Sequence, residues 1–183
     1  MGWRLEPDTK LGAVDGYLAI VSRREVREYS DRPIGADVRR RILEAARVSG
    51  NSANRQQWRF VDVESDDKRA RLAELVYAPG NVLGAKMVVV IAVHGSGPTS
   101  FDAGRAAQNM MLAAWNEGIG SCPNGMPDRD AVASMLGLHA GEEPAIVLTF
   151  GYPARPIDPE GRSPHDWIAR ANRKPFDEVV ETI

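Results

Sequence analysis

Four stretches carry the clearest alternation of apolar and polar positions. From Asp37 to Ser49, Val38, Ile42, Ala45, Ala46 and Ser49 recur at helical spacing while Arg39, Arg40 and Arg47 can reach solvent. This predicts an amphipathic helix, with Gly50 just past its end, where a left-handed residue is favoured. Arg59–Glu64 alternates and predicts a strand. Met87–Val93 (MVVVIAV) is an unbroken, β-branched apolar run. It is too short for a typical helix and predicts a strand covered on both faces. Ser100–Gly118 predicts a long helix whose alanines and methionines (Ala103, Ala106, Ala107, Met110, Ala114 and neighbours) occupy several faces, implying close packing against other helices of this chain or of a second one.

Weaker patterns fill the gaps. Leu11–Val21 reads as a first helix. Ser65 is a good N-cap for a helix from about Asp66 to Tyr77, with Asp66 and Asp67 in its first turn. Ala78-Pro79-Gly80-Asn81 reads as its breaker. Gly118–Gly125 (GIGSCPNG) reads as a glycine-rich turn, Asp130–Leu138 as a short helix and Ala145–Phe150 as a second buried strand. From Gly151 onward the chain is rich in proline and charge, with one short helix near Phe176–Val180. Mixed helices and strands predict an α/β or α+β sandwich with helices covering a central sheet. Neither G-x-G-x-x-G after a strand nor G-x-x-x-x-G-K-[ST] occurs.

Composition narrows the class. A chain of 183 residues, 43% hydrophobic and 26% charged, fits one soluble globular domain. A net charge of −2 and a pI near 6.0 provide no overall field for nucleic acid or an anionic membrane. The start of the chain has no basic segment leading into an apolar one, and no apolar run approaches the roughly 20 residues that span a bilayer. One cysteine, Cys122, rules out an intrachain disulfide and fits a reducing compartment. The expectation is a soluble, cytoplasmic protein.

Chemistry is harder to place. His94, His139 and His165 are scattered and show no ligand spacing with each other or with Cys122, which argues against a metal. Ser163-Pro164-His165-Asp166 contains triad residue types, but sequence neighbours do not supply triad geometry. Ser22-Arg23-Arg24-Glu25-Val26-Arg27 gathers guanidinium groups on one side if helical, and puts Arg23, Glu25 and Arg27 on one face if extended. It reads either as a phosphate clamp or as a solvated charged face. The octet NSANRQQW at residues 51–58 carries more amides than a loop needs. It is either an ordinary polar connection or a set of donors and acceptors for a heterocycle.

Taken in order, SRREVREYSDRPI, AARVSGNSANRQQWRFVDV, DAGRAAQNMMLAAWNEGIGSC, IVLTFGYP and NRKPFDEVV together resemble the motifs of the FMN-dependent nitroreductase family over about residues 17–180. The resemblance implies an α+β, nitroreductase-like sandwich: one domain over 1–183, a central mixed sheet covered by helices, an N-terminal extension (1–16) and an exchanged C-terminal arm (153–183) in a homodimer. It implies FMN at the subunit interface and NAD(P)H as co-substrate. Arg23 and Arg24 would reach the phosphate or ribityl end of the flavin, and Arg27 the pyrimidine edge. Asn51, Ser52 and Asn54 would come from the other subunit, and the Pro123-Asn124-Gly125 turn would lie near N5 and O4. Arg173 and Lys174 would pair with the phosphate, and Asn81 matches a flavin-contacting asparagine. The implied activity is hydride transfer through flavin N5 to a small electron-poor acceptor such as a nitroaromatic or quinone, in a ping-pong cycle. The alternatives are a specialised dehydrogenase, oxidase or dehalogenase of the same fold, or a non-catalytic flavin-binding module. The chain departs from the family pattern at Glu25, where Ser or Thr is usual, at Gly50-Asn51, where Pro-Ser is usual, and at Gln57, where proline precedes the tryptophan.

Overall fold

The computed structural model describes residues 15–183. It divides into two compact units, one of Arg24–Ile157 and one of residues up to Arg23 together with Asp158–Ile183.

The larger unit is built on a sheet of β1 (Trp58–Asp62), β2 (Met87–His94), β3 (Gly120–Asn124) and β4 (Glu142–Gly151), in the order β1-β2-β4-β3. All three pairings are antiparallel. The expected mixed sheet is thus antiparallel in all its strand pairs; a single parallel bridge, Glu25 to Ser121, lies outside the strands at the β3 edge. As its sequence predicts, β2 is central, and Val88 to Ala92 are completely buried. Alternation then sends its residues to two different cores. Met87, Val89 and Ile91 meet Leu148 and Phe150 beneath α5 (Thr99–Asn116) and α2 (Ala36–Arg47). Val88 and Val90 meet Val147, Leu72, Val82 and Val132, supplied by β4, α3 (Asp66–Ala73), α4 (Pro79–Gly84) and α6 (Arg129–Leu136). The small residues of α5 let it sit close on the sheet: Ala103, Ala106, Met110 and Ala114 are at most 2% exposed. Pro144 occurs in β4 where the register with β2 shifts between Ile91 and Ala92, a place where a missing N–H does no harm.

Three readings change. Pro79-Gly80-Asn81 ends one helix but begins another, because proline at the first helical position lacks only an N–H that would be unpaired anyway. Gly120–Asn124 is a strand, not a turn. Although GSCPN has poor strand propensity, its backbone pairs along β4 from Gly120–Gly151 to Asn124–Val147. The helix after Ser65 stops at Ala73, short of Tyr77.

The smaller unit contains α1 (Gly16–Ser22) and α7 (Pro164–Ala169), which touch each other. Of the predicted first helix, residues 11–14 lie outside the described residues. The triad-like Ser163-His165-Asp166 segment is a helix cap: Ser163 Oγ accepts from the Asp166 N–H at 3.2 Å and donates to its carboxylate at 2.7 Å. Trp167 is buried, and its Nε1 donates to the Pro159 carbonyl. Among the described residues no helix is long and apolar enough to cross a membrane.

Candidate functional site

The arginine-rich segment is extended. Val26 N–H donates to the Ser121 carbonyl at 3.0 Å, and Tyr29 bridges Pro153. The segment from Arg24 thus runs alongside β3. That approach requires Gly120, where a Cβ would lie 2.5 Å from the Val26 side chain. The helical alternative for this segment is therefore excluded. Arg23 caps the end of α1, Arg24 is half-buried and Arg27 is exposed.

The end of β3 carries a buried polar cluster. Asn81, on α4, donates to Asn124 Oδ1 at 2.6 Å. Asn124 Nδ2 donates to the Cys122 carbonyl at 2.9 Å and to Thr149 Oγ1 at 3.2 Å. Thr149 Oγ1 in turn reaches the Cys122 carbonyl at 3.1 Å. The Tyr29 hydroxyl donates to the Val26 carbonyl at 2.7 Å and lies 3.0 Å from Thr149 Oγ1. Burial pushes the Tyr29 phenol well above its ordinary pKa, so it acts only as a neutral hydrogen-bonding group. Its ring rests on Gly151, where a Cβ would come within 2.7 Å. Pro123 and Gly125 are exposed beside this cluster. The Gly125 carbonyl accepts from the Tyr77 N–H at 3.1 Å, while its own N–H has no protein partner among the described residues. The Asn81 and Asn124 side chains therefore turn inward toward each other.

The octet is a braced, strained loop. Ala53, Asn54 and Gln56 have φ of 50°, 53° and 54°. Asparagine tolerates this left-handed region, whereas alanine and glutamine are disfavoured there by about 1–2 kcal/mol each. Local bonds hold the conformation. The Ser52 N–H donates to the buried Asp102 carboxylate at 3.0 Å, and Asn51 Oδ1 accepts from the Gln56 N–H at 2.8 Å. Asn109 donates to Ser49 Oγ at 2.7 Å. Asn51 therefore braces the loop. The Ser52 hydroxyl and the Asn54 carboxamide have no protein partner among the described residues, so the octet has polar groups left for something outside it.

The candidate residues divide between opposite edges of the sheet. Arg24, Arg27, Asn81 and Pro123–Gly125 gather at the β3 edge, while the octet leads into β1 at the other. Three strand spacings, about 14 Å, separate those edges. Arg173 and Lys174 are exposed in the smaller unit, with Arg173 Nη1 on the Ala171 carbonyl.

The departures at Gly50 and Gln57 have local partners that the sequence alone did not reveal. A Cβ at residue 50 would lie 2.2 Å from Arg105 Nη2, so the guanidinium occupies space that a larger residue would need. Gln57 Nε2 lies 2.0 Å from where a Cβ at Gly95 would stand, and its carbonyl accepts from the His94 N–H at 3.2 Å. Downstream, β1 is tied across the sheet by Arg59, whose Nε donates to Glu142 at 2.9 and 3.1 Å. The Arg59 guanidinium holds the Glu142 carboxyl down at about 2.

The model of the nitroreductase family matches residues 20–95 and 81–152. A protein of Methanothermobacter thermautotrophicus, provisionally named an NADH dehydrogenase/NAD(P)H nitroreductase, is 28% identical over 156 residues, covering 80% of this chain and 82% of its own. The NADPH:FMN oxidoreductase of Vibrio harveyi, solved with NAD+, superposes with a TM-score of 0.77 at 21% identity, over 92% of this chain and 77% of that one. An FMN-dependent nitroreductase of Clostridium difficile gives a TM-score of 0.71 at 20% identity, over 80% and 93% of the two chains. The chain belongs to the nitroreductase family, and its fold is the α+β sandwich of those structures.

Proposed function

We propose that the protein is an FMN-dependent oxidoreductase using NAD(P)H to reduce a small electron-poor acceptor, a nitroaromatic or quinone, in a cytoplasmic homodimer. When bound, FMN would supply the redox chemistry, hydride transfer through N5 from the nicotinamide to the acceptor in a ping-pong cycle. The chain binds and orients. Arg23 and Arg24 offer forked donors to the phosphate and ribityl end, and Arg27 places a cation at the pyrimidine edge, where it favours the negative charge gained on reduction. Ser52 and Asn54 present a hydroxyl and a carboxamide, and Gly125 presents a backbone N–H.

The observation that carries this reading is the division of the polar groups. The β3 edge and the octet lie at opposite sides of one sheet, so the octet of one protomer serves the flavin held at the β3 edge of a second. The donor set fits FMN: arginines for a dianion, amides for a ring edge that both donates and accepts, and at Gly125 an N–H with no protein partner among the described residues. Residues 1–183 then form one domain whose arm, 153–183, crosses to the partner. Arg173 and Lys174 at the phosphate rest on the family resemblance alone.

The test is the colour of the purified protein. Near-ultraviolet and blue flavin bands, bleached anaerobically by NADH or NADPH and restored by a quinone, support the reading. A protein that cannot be loaded with FMN overturns it.

A further inference from the structure

The polar cluster at the end of β3 stands on an otherwise apolar face, among Val88, Val90, Val147 and Val82. Hydrocarbon side chains of matching shape would stabilise that position about as well, because the net gain from a buried hydrogen bond is small. The cluster gives a fixed geometry that apolar packing does not. Its members come from four places in the chain: the segment at Tyr29, α4, β3 and β4. Their bonds converge on the Val26 and Cys122 carbonyls, and Asn124 is held by every polar atom of its side chain. The peptide run from Cys122 therefore arrives at Gly125 in one orientation. There the Tyr77 N–H takes the carbonyl, and the N–H of this exposed glycine has no protein partner among the described residues. A rigid, buried frame ending in one exposed donor is what preorganised recognition requires.

We infer that Tyr29, Asn81, Asn124 and Thr149 are positioning residues that aim the Gly125 N–H at O4 of the flavin and thereby set its reduction potential. This rests on the FMN reading above. It also gives Asn81 and Asn124 a role beneath the ring instead of in contact with it. A donor fixed near O4 favours the electron-rich reduced ring, so loosening the frame should weaken the reduced form more than the oxidised one.

The test uses the full-length, FMN-loaded protein and the variants Thr149→Val, Thr149→Ser and Tyr29→Phe, with Leu72→Ala, on α3, as a control that weakens the same core without removing a bond of the cluster. Thr149→Val should weaken reduced relative to oxidised FMN about tenfold, which lowers the two-electron midpoint potential by about 30 mV. Thr149→Ser, keeping the hydroxyl, should restore it, and Leu72→Ala should leave it in place. In the flavin-free proteins, amide exchange at residues 122–125 should quicken at least tenfold in Thr149→Val while residues 88–92 stay protected. If Thr149→Val does not fold, Tyr29→Phe, which removes one hydroxyl, carries the same expectation at smaller size. A variant that holds FMN at the wild-type potential, or exchange that quickens evenly along the sheet, overturns the inference alone. Wild-type protein that takes up no FMN overturns the flavin reading along with it.

Discussion

The β3 edge and the octet solve opposite problems with similar residues. At β3, Asn81 and Asn124 are at most 8% exposed and bond to one another and to Thr149. In the octet, Asn51 braces the loop, but the Ser52 hydroxyl and the Asn54 carboxamide have no protein partner among the described residues. One asparagine pair makes structure, and the proposed role of the other polar pair is to meet a ligand. Burial separates the two cases: a buried amide must be satisfied by the protein, whereas an exposed one is satisfied by water until something better displaces it.

That contrast can be broken most directly at Asn124. Asn124→Ala strands the Asn81 amide and removes two bonds to Cys122 and Thr149, and should cost about 2–4 kcal/mol of stability, read as a lower urea midpoint. Asn54→Gly is the counterpart in the octet. Glycine keeps the left-handed backbone and removes only the amide, so the urea midpoint should stay within about 0.5 kcal/mol. FMN affinity should fall about tenfold, worth about 1.4 kcal/mol, by fluorescence titration. An octet change that destabilises the fold but leaves FMN affinity alone would erase the distinction. Ala53→Gly should relieve strain and raise stability by about 1 kcal/mol, again by urea unfolding.

The smallest effect concerns pH. Because Arg59 holds Glu142 at about 2 in the folded chain, against an ordinary value near 4.5, the pair's contribution is complete above the ordinary value. It is lost as pH falls through the folded one. Glu142→Gln should therefore flatten the stability profile between about pH 4.5 and pH 2, measured by thermal unfolding in a series of buffers.

Much of this architecture was legible because it depends on hydrophobic periodicity. MVVVIAV could only be a doubly covered strand, and the spacing in Asp37–Ser49 and Ser100–Gly118 could only suit helices. Strand β3 was not legible. GSCPN owes its extended form to pairing with a distant partner, and nothing local reports that pairing. Two short helices did carry a readable signature, a proline at the first helical position of α4 and Ser163-Pro164 at the start of α7. A breaker reading of Pro79 obscured the first, and attention to triad residue types obscured the second. For the site, residue types singled out segments, but which amides face inward depends on tertiary contacts. Nothing near Asn81 in sequence reveals that Asn124 lies 2.6 Å away.

The close fit of Arg105 over Gly50 bears on how the loop tolerates change. The atoms in the way of a Cβ at residue 50 are the far end of a long, flexible side chain that is 45% exposed. A larger residue at 50 therefore needs only that the guanidinium swing aside, and its cost falls on what the arginine touches, the Asp102 carboxylate at 4.0 Å and the Phe101 ring. Asp102 also takes the Ser52 N–H, so crowding at residue 50 would reach the octet through the charge on Asp102.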